Sequence, residues 1–225
     1  MSKIEPKEEY MNRCPYISKT DTSKKLCYRD NQTKDIYGCF GNCEYMRNYN
    51  ISLLKNKVIF IDLDGTLINT ISGEKFPKGV WDMKLNFPLL DILKGCKPTL
   101  ICIVTNQGGI GTYISEIYFK DKFTYIKDCI REYTGCECHG IYCSSNDKEN
   151  RNRKPNTGML EYFSMLCDIK KEDCIMIGDA SGLEGQFSDS DKKTADNFGI
   201  PYLDVNEVVK STYDKNITKF LNCIL

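Results

Sequence analysis

The sequence predicts an α/β protein, a doubly wound parallel sheet with a small Cys-rich segment in front of it. Three observations carry this. From residue 57 onward, short apolar runs rich in β-branched residues alternate with stretches of helical period, the pattern of strand, crossover helix and parallel strand. Polar motifs follow directly after four of those runs, where ligands bind at the carboxyl edge of such a sheet. Before residue 57 that alternation is missing, and cysteine, tyrosine and asparagine are frequent.

The elements follow in order. Val58-Ile59-Phe60-Ile61 is apolar at every position, as a strand buried on both faces requires. Leu100-Ile101-Cys102-Ile103-Val104 repeats the form, Ile141-Tyr142-Cys143 is a weaker third strand, and Cys174-Ile175-Met176-Ile177 a fourth. Ile200-Pro201-Tyr202-Leu203 is a fifth, placed near an edge by its proline. Helices are predicted for Ser115 to Tyr133, with Ser115 as N-cap, for Thr157 to Leu166 and for Asp189 to Asn197. The domain boundary falls near residues 48–56, giving a Cys-rich segment over 1–50 and a catalytic domain over 57–225.

Composition narrows the classes. The 225 residues carry 31 basic and 31 acidic side chains, 41% hydrophobic and 28% charged, which excludes disordered, collagen-like and membrane proteins. No apolar run approaches the roughly 20 residues of a spanning helix, and MSKIEPKEEY lacks the apolar stretch of a secretory signal. The expectation is an intracellular protein with no membrane contact, and a monomer. Thirteen cysteines, an odd number, read as reduced thiols and metal ligands rather than a disulfide framework. With His139 the single histidine, any general base or metal site must use carboxylates, thiols or lysines. Residues 1–57 hold 11 basic and 7 acidic side chains, net +4, against −4 for the remainder, a modest basic appendage on an acidic body.

The four motifs share one chemistry. Asp62-Leu63-Asp64-Gly65-Thr66 offers two carboxylates at a strand end; Thr105-Asn106-Gln107-Gly108-Gly109 offers a hydroxyl and backbone amides for a phosphate oxygen. Arg153-Lys154-Pro155 precedes a helix, and Gly178-Asp179 follows the fourth strand. A carboxylate attacking phosphorus needs the repulsion between anions cancelled, a role for Lys154 and a divalent cation. Magnesium takes oxygen ligands, and Asp62, Asp179 and Asp64 through a nearby backbone carbonyl supply them. The Asp64 carboxylate suits the proton transfers to the leaving oxygen and from the attacking water.

This set, in this order, resembles the haloacid dehalogenase superfamily of phosphohydrolases. More narrowly, Thr70, Ser72, Gly73, Phe76, Pro77 and Asp82 after the first motif match the 3'-phosphatase domain of polynucleotide kinase/phosphatases. So do Gly178-Asp179-Ala180, Phe187-Ser188, Asp191, Asn197, Gly199 and Pro201 further on. The resemblance covers residues 57–207. It implies a haloacid dehalogenase-like core with a minimal cap, and magnesium-dependent hydrolysis of 3'-phosphate ends of DNA to 3'-hydroxyls for repair, through an aspartyl-phosphate. By the same match Asp62 is the nucleophile and Asp64 the acid/base. Thr105, Asn106, Lys154 and Arg153 hold the phosphate, Asp179 binds magnesium, and Ser72 shapes the loop over the substrate or serves a plain turn. Asp191 is either an acid in the metal's outer shell or a helix N-terminal acid favoured by the macrodipole.

The chain also departs from the pattern. Gly111-Thr112-Tyr113 stands where the family often has an arginine gripping the strand, and Gln186 where an acid is expected. Lys148, Arg151 and Arg153 either compensate or form a solvated loop. No G-x-x-x-x-G-K-[ST] loop occurs, so the kinase half is missing. A small-molecule phosphatase of the same superfamily and a non-enzymatic nucleic-acid-binding protein are the competing readings.

Cysteine spacing raises a second metal. Cys14, Cys27, Cys39 and Cys43 would satisfy tetrahedral zinc, and a coreless segment of this size generally needs a staple; free buried thiols are the competing account. With zinc bound, basic residues and Tyr10, Tyr16, Tyr28 and Tyr37 could hold nucleic acid. Cys136, Cys138, His139 and Cys143 look like another cluster, but Ser144 to Asn152 lacks the second cysteine pair of related phosphatases. Cys136 to His139 are therefore expected in a loop before the third strand.

Overall fold

Parallel strands buried on both faces must place alternate side chains into two separate cores, and this sheet does so. In the computed structural model, which describes residues 36–38 and 58–210, a six-stranded sheet has the order β1-β6-β5-β2-β7-β8. The strands are β1 (Ile36–Gly38), β2 (Val58–Ile61), β5 (Leu100–Asn106), β6 (Glu137–Cys143), β7 (Cys174–Gly178) and β8 (Tyr202–Asp204). Five are parallel, and β1 adds an antiparallel edge beside β6. Ile59 and Ile61 of β2 enter one core with Ile101, Ile103, Ile175 and Ile177; Val58 and Phe60 enter the other with Cys102 and Met176.

Helices cover both faces. On the first lie α1 (Phe87–Cys96), α2 (Glu116–Thr134) and α5 (Val205–Lys210), which bury Leu89, Leu93, Phe119, Phe123, Ile126 and Val208. On the second lie α3 (Gly158–Cys167) and α4 (Ser190–Phe198), whose Phe163 and Phe198 meet Phe60 with ring centroids 6.2 and 6.1 Å away. Helix α2 starts where expected, with the Ser115 hydroxyl accepting from the Tyr118 N–H, and stops at Gly135 in the left-handed region. None of the described helices is long and apolar enough to cross a membrane.

The structure adds elements the sequence reading missed. Strands β3 (Ile68–Thr70) and β4 (Met83–Leu85) form a separate hairpin, and α1 follows it with a proline in its first turn. The third parallel strand begins at Glu137, not Ile141, which corrects the loop expected for Cys136 to His139 at every position but Cys136. Cys138 faces one core and Cys143 the other, so strand geometry separates two thiols of the proposed second cluster. Burial raises the Cys138 thiol to about 12. Cys14, Cys27, Cys39 and Cys43, with Tyr10, Tyr16 and Tyr28, lie outside the described residues, and Tyr37 is described only as backbone of β1.

Candidate active site

Because β2, β5 and β7 run parallel with Ile61, Ile103 and Ile177 level, their carboxyl ends deliver the motifs to one edge. Asp62 emerges from β2, its backbone N–H bonded to the Ile177 carbonyl at 3.0 Å. Asp179 emerges from β7 beside it, and Thr105 lies near the end of β5. Lys154 arrives on the loop before α3. Its ammonium is almost fully buried and donates to Asp62 Oδ1 at 2.5 Å and to Asp191 Oδ1 at 2.6 Å.

Asp191, in the first turn of α4, is therefore more than a helix-end acid. Its second oxygen accepts from the Ala180 N–H at 3.2 Å, and a side chain on Gly178 would collide with its carboxylate. Asp62, Asp179 and Asp191 each offer an oxygen within 4.8 Å of the others. Three carboxylates against one ammonium leave the group deficient in positive charge. Asp179 registers the imbalance: burial first, then the nearby Asp62 and Asp191 charges, push its carboxyl up to about 7. Both Asp191 oxygens are engaged, whereas the Asp179 carboxylate accepts from Thr66 at a long 3.5 Å and from its own backbone N–H. A divalent cation held by oxygens of Asp62 and Asp179 fits this donor set and its missing charge. Gly65 closes the site from the first motif; its φ of +83° is one that side chains rarely adopt, and a Cβ there would strike the Asp179 carboxylate.

The Asp64 carboxylate stands outside that group, so its expected contribution to metal binding is left to its backbone. It accepts from Gln107 Nε2 at 2.6 Å, while its other oxygen is buried without a partner. Burial raises its carboxyl above the ordinary carboxylate range, against the opposing pull of the Lys122 ammonium on α2. Lys122 is only 4% exposed and went unremarked in the sequence reading, which placed Gln107 in the second motif without a role for its side chain. A lysine at a position otherwise set for the core was the available signal. Gln107 also donates to Thr105 Oγ1 at 3.1 Å, which leaves the Thr105 hydroxyl proton for another acceptor.

Other expected contacts fall elsewhere. The Asn106 amide is bonded twice to the Lys154 backbone, at 2.9 and 3.0 Å, so it positions Lys154 and keeps one N–H beyond these two bonds. Arg153 donates to the Ser145 carbonyl at 2.6 Å and Arg151 pairs with Glu161 at 2.9 Å, which favours the structural reading of the basic run. Ser72 is turned onto Asp82, which accepts from its N–H, its hydroxyl and the Lys78 N–H; this favours the turn role. Tyr113, near the expected arginine, is 91% exposed. Gln186 accepts from the Ser181 and Leu183 N–H groups and donates to Asp204, beside which an acid would be repelled.

Comparison with known proteins decides the family. Residues 57–208 match the family model described as polynucleotide kinase 3 phosphatase. The chain belongs to that family. It is thereby a phosphatase of the haloacid dehalogenase superfamily. An uncharacterized 20.8 kDa protein of Autographa californica nuclear polyhedrosis virus is 32% identical, over 71% of this chain and 89% of its own length. The bifunctional polynucleotide phosphatase/kinase of Schizosaccharomyces pombe is 29% identical over 82% of this chain. The histidine biosynthesis bifunctional protein of Legionella pneumophila is 31% identical over 67%. The chain spans 45% and 42% of the lengths of these two bifunctional relatives. Among solved structures, a HAD-like phosphatase from Mesorhizobium loti gives a TM-score of 0.52 at 20% identity, covering 64% of this chain and 69% of that one. The heptose bisphosphate phosphatase of B. bronchiseptica, solved with magnesium and phosphate, gives 0.50 at 17%, covering 71% and 99%. These two likenesses bear on the fold.

Proposed function

We propose that this protein removes terminal 3'-phosphates from polynucleotides, leaving 3'-hydroxyls for DNA repair. The observation that carries the reading is the family match together with an uncapped site. Among the described residues, what stands over the carboxyl edge is the β3–β4 hairpin with its connecting loop and the loops after β5, β6 and β7, so a polymer end has access.

In this mechanism Asp62 attacks phosphorus and forms an acyl-phosphate while the P–O bond to the 3'-carbon's oxygen breaks. Asp64, protonated readily because it is buried, gives its proton to that leaving oxygen. Asp64 then takes a proton from water as the water attacks the acyl-phosphate, releasing inorganic phosphate and restoring Asp62. Thr105 donates its hydroxyl proton to a phosphate oxygen, and Lys154 fixes the orientation of Asp62. Magnesium, held by Asp62 and Asp179, would supply the positive charge that lets two anions approach; the magnesium-bound relative supports that choice.

The test compares phosphate release from a 3'-phosphorylated oligodeoxynucleotide, its 5'-phosphorylated counterpart, histidinol phosphate and heptose bisphosphate. The proposal expects the first to have the highest kcat/KM by at least tenfold. Preference for histidinol phosphate or the heptose would instead establish the small-molecule reading, which the Legionella relative supports.

A further inference from the structure

Strand β8 pairs with β7 in a register that sets Tyr202 opposite Met176 and Asp204 opposite Gly178. Tyr202 and Asp204 are alternate residues, so both present their side chains on one face of the sheet, beside the loop that begins at Asp179. The Tyr202 hydroxyl donates to the Gly178 carbonyl at 2.9 Å, immediately before Asp179. The buried Asp204 carboxylate accepts from the Ser181 hydroxyl, two residues after Asp179. The Ser181 and Tyr202 hydroxyl oxygens lie 2.9 Å apart, which joins the two bonds. A carboxylate only accepts, so Ser181 commits its single proton to Asp204, and Tyr202 shares its own between the Gly178 carbonyl and the Ser181 oxygen. Gln186 completes the set, donating to Asp204 at 2.6 Å and accepting from the Ser181 N–H at 2.8 Å.

The residue between these anchors is under electrostatic load. Asp62, Asp179 and Asp191 bring carboxylate oxygens within 4.8 Å of one another, and like charges at that range repel. The bond that Asp179 accepts from the Thr66 side chain is long, at 3.5 Å. Without a cation, repulsion favours any movement of the loop that carries the Asp179 carboxylate outward. Bonds at Gly178 and at Ser181 resist that movement from both sides. A ligand already in place binds a cation more tightly than one that must be drawn back against like charges.

We propose that Tyr202 and Ser181 are positioning residues for Asp179: together with Asp204 they bracket it through the chain on either side and hold its carboxylate where magnesium needs it. The inference rests on the reading of Asp179 as a magnesium ligand and adds the device that keeps that ligand in place. None of the three bracket side chains belongs to the four motifs; the edge strand supplies two of them.

The experiment measures Tyr202→Phe and Ser181→Ala, each of which lacks one hydroxyl. Asp204 is left intact because it also accepts from the Asn206 N–H at 2.8 Å, at the start of α5. Magnesium affinity is read by calorimetric titration without substrate, melting temperature is read in chelator, and turnover is followed on an aryl phosphate. Each variant is expected to bind magnesium about fivefold more weakly, the effect of one lost hydrogen bond. Half-saturating magnesium for turnover should rise by the same factor, while kcat at saturating magnesium stays that of wild type. Melting temperature in chelator should change little, because relief of the repulsion offsets the lost bond. A purely structural staple would do the reverse, lowering that temperature and leaving magnesium affinity alone. Unaltered magnesium dissociation constants in both variants would overturn the bracket alone. A wild type that binds no magnesium would overturn the reading of Asp179 as a ligand and the bracket with it.

Discussion

Lys154 joins Asp62 to Asp191, bonding both carboxylates with one buried ammonium at 2.5 and 2.6 Å. Asp62 follows β2 and Asp191 lies in the first turn of α4, so the lysine of the third motif ties the first motif to the helix that follows the last. Replacing a buried ion-pair partner leaves charge stranded, at a cost of about 3–5 kcal/mol. Lys154→Met should therefore lose both activity, by about 10³-fold or more, and stability in urea unfolding. Asp191→Asn should lose less stability, because Lys154 keeps Asp62 as a partner and Asp179 loses a repelling neighbour. Equal stability losses in the two variants would contradict this arrangement.

The Asp179 carboxyl predicts how stability depends on pH in chelator-treated protein. Its folded value of about 7 lies above the ordinary 3.8, so folding binds a proton. The associated stability is present below about 4 and is lost as pH rises through about 7. Melting temperature should fall across that window, and Asp179→Asn should flatten the fall. Magnesium opposes the same repulsion, so the stabilisation it confers should be larger at pH 8 than at pH 5, as scanning calorimetry would measure.

Gly65 is predicted to be irreplaceable for activity. Its left-handed backbone would cost a side chain about 1–2 kcal/mol, and its Cβ would displace the Asp179 carboxylate. Gly65→Ala should remain folded by circular dichroism yet require far more magnesium for half-maximal turnover. An unchanged magnesium requirement would show that Asp179 is not a ligand.

Much of this architecture is legible in the sequence because its determinants are local. Continuous apolar runs identify β2, β5 and β7, and the Ser115 cap and Gly135 stop delimit α2. The motifs are legible because parallel topology forces every strand's carboxyl end to the same edge. Other features are not local. The β3–β4 hairpin has only three residues per strand, too few to show alternation, and it exists because Asp82 gathers the connecting loop from Ser72 to Lys78. Strand β6 was cut short because Glu137, His139 and Gly140 interrupt its apolar pattern. Asp191 and Lys122 matter through partners 37 and 58 positions away in the chain, Lys154 and Asp64, which no spacing rule anticipates.

Asp64 and Lys122 give a prediction that depends on the leaving group. If Asp64 protonates the departing oxygen, Asp64→Asn should slow release from an oligonucleotide by about 10²–10⁴-fold. It should slow formation of the acyl-phosphate from an aryl phosphate much less, since a phenolate departs without a proton. Lys122→Met removes the strongest positive influence on Asp64 and should shift the alkaline limb of acyl-phosphate formation, where Asp64 loses its proton, to higher pH, while Lys122→Arg retains it. Equal losses of Asp64→Asn on both substrates in single-turnover experiments would contradict the acid role.

The central claim is that the carboxylate of Asp62 attacks a terminal 3'-phosphate. Its most direct measurement is acid-quenched single turnover with an oligonucleotide carrying a radiolabelled 3'-phosphate. Wild type should transiently carry label that hydroxylamine releases, mapped to the peptide containing Asp62, and Asp62→Asn should carry none and release no phosphate. Phosphate release by Asp62→Asn at the wild-type rate, with no labelled protein at any time in either form, would contradict the account.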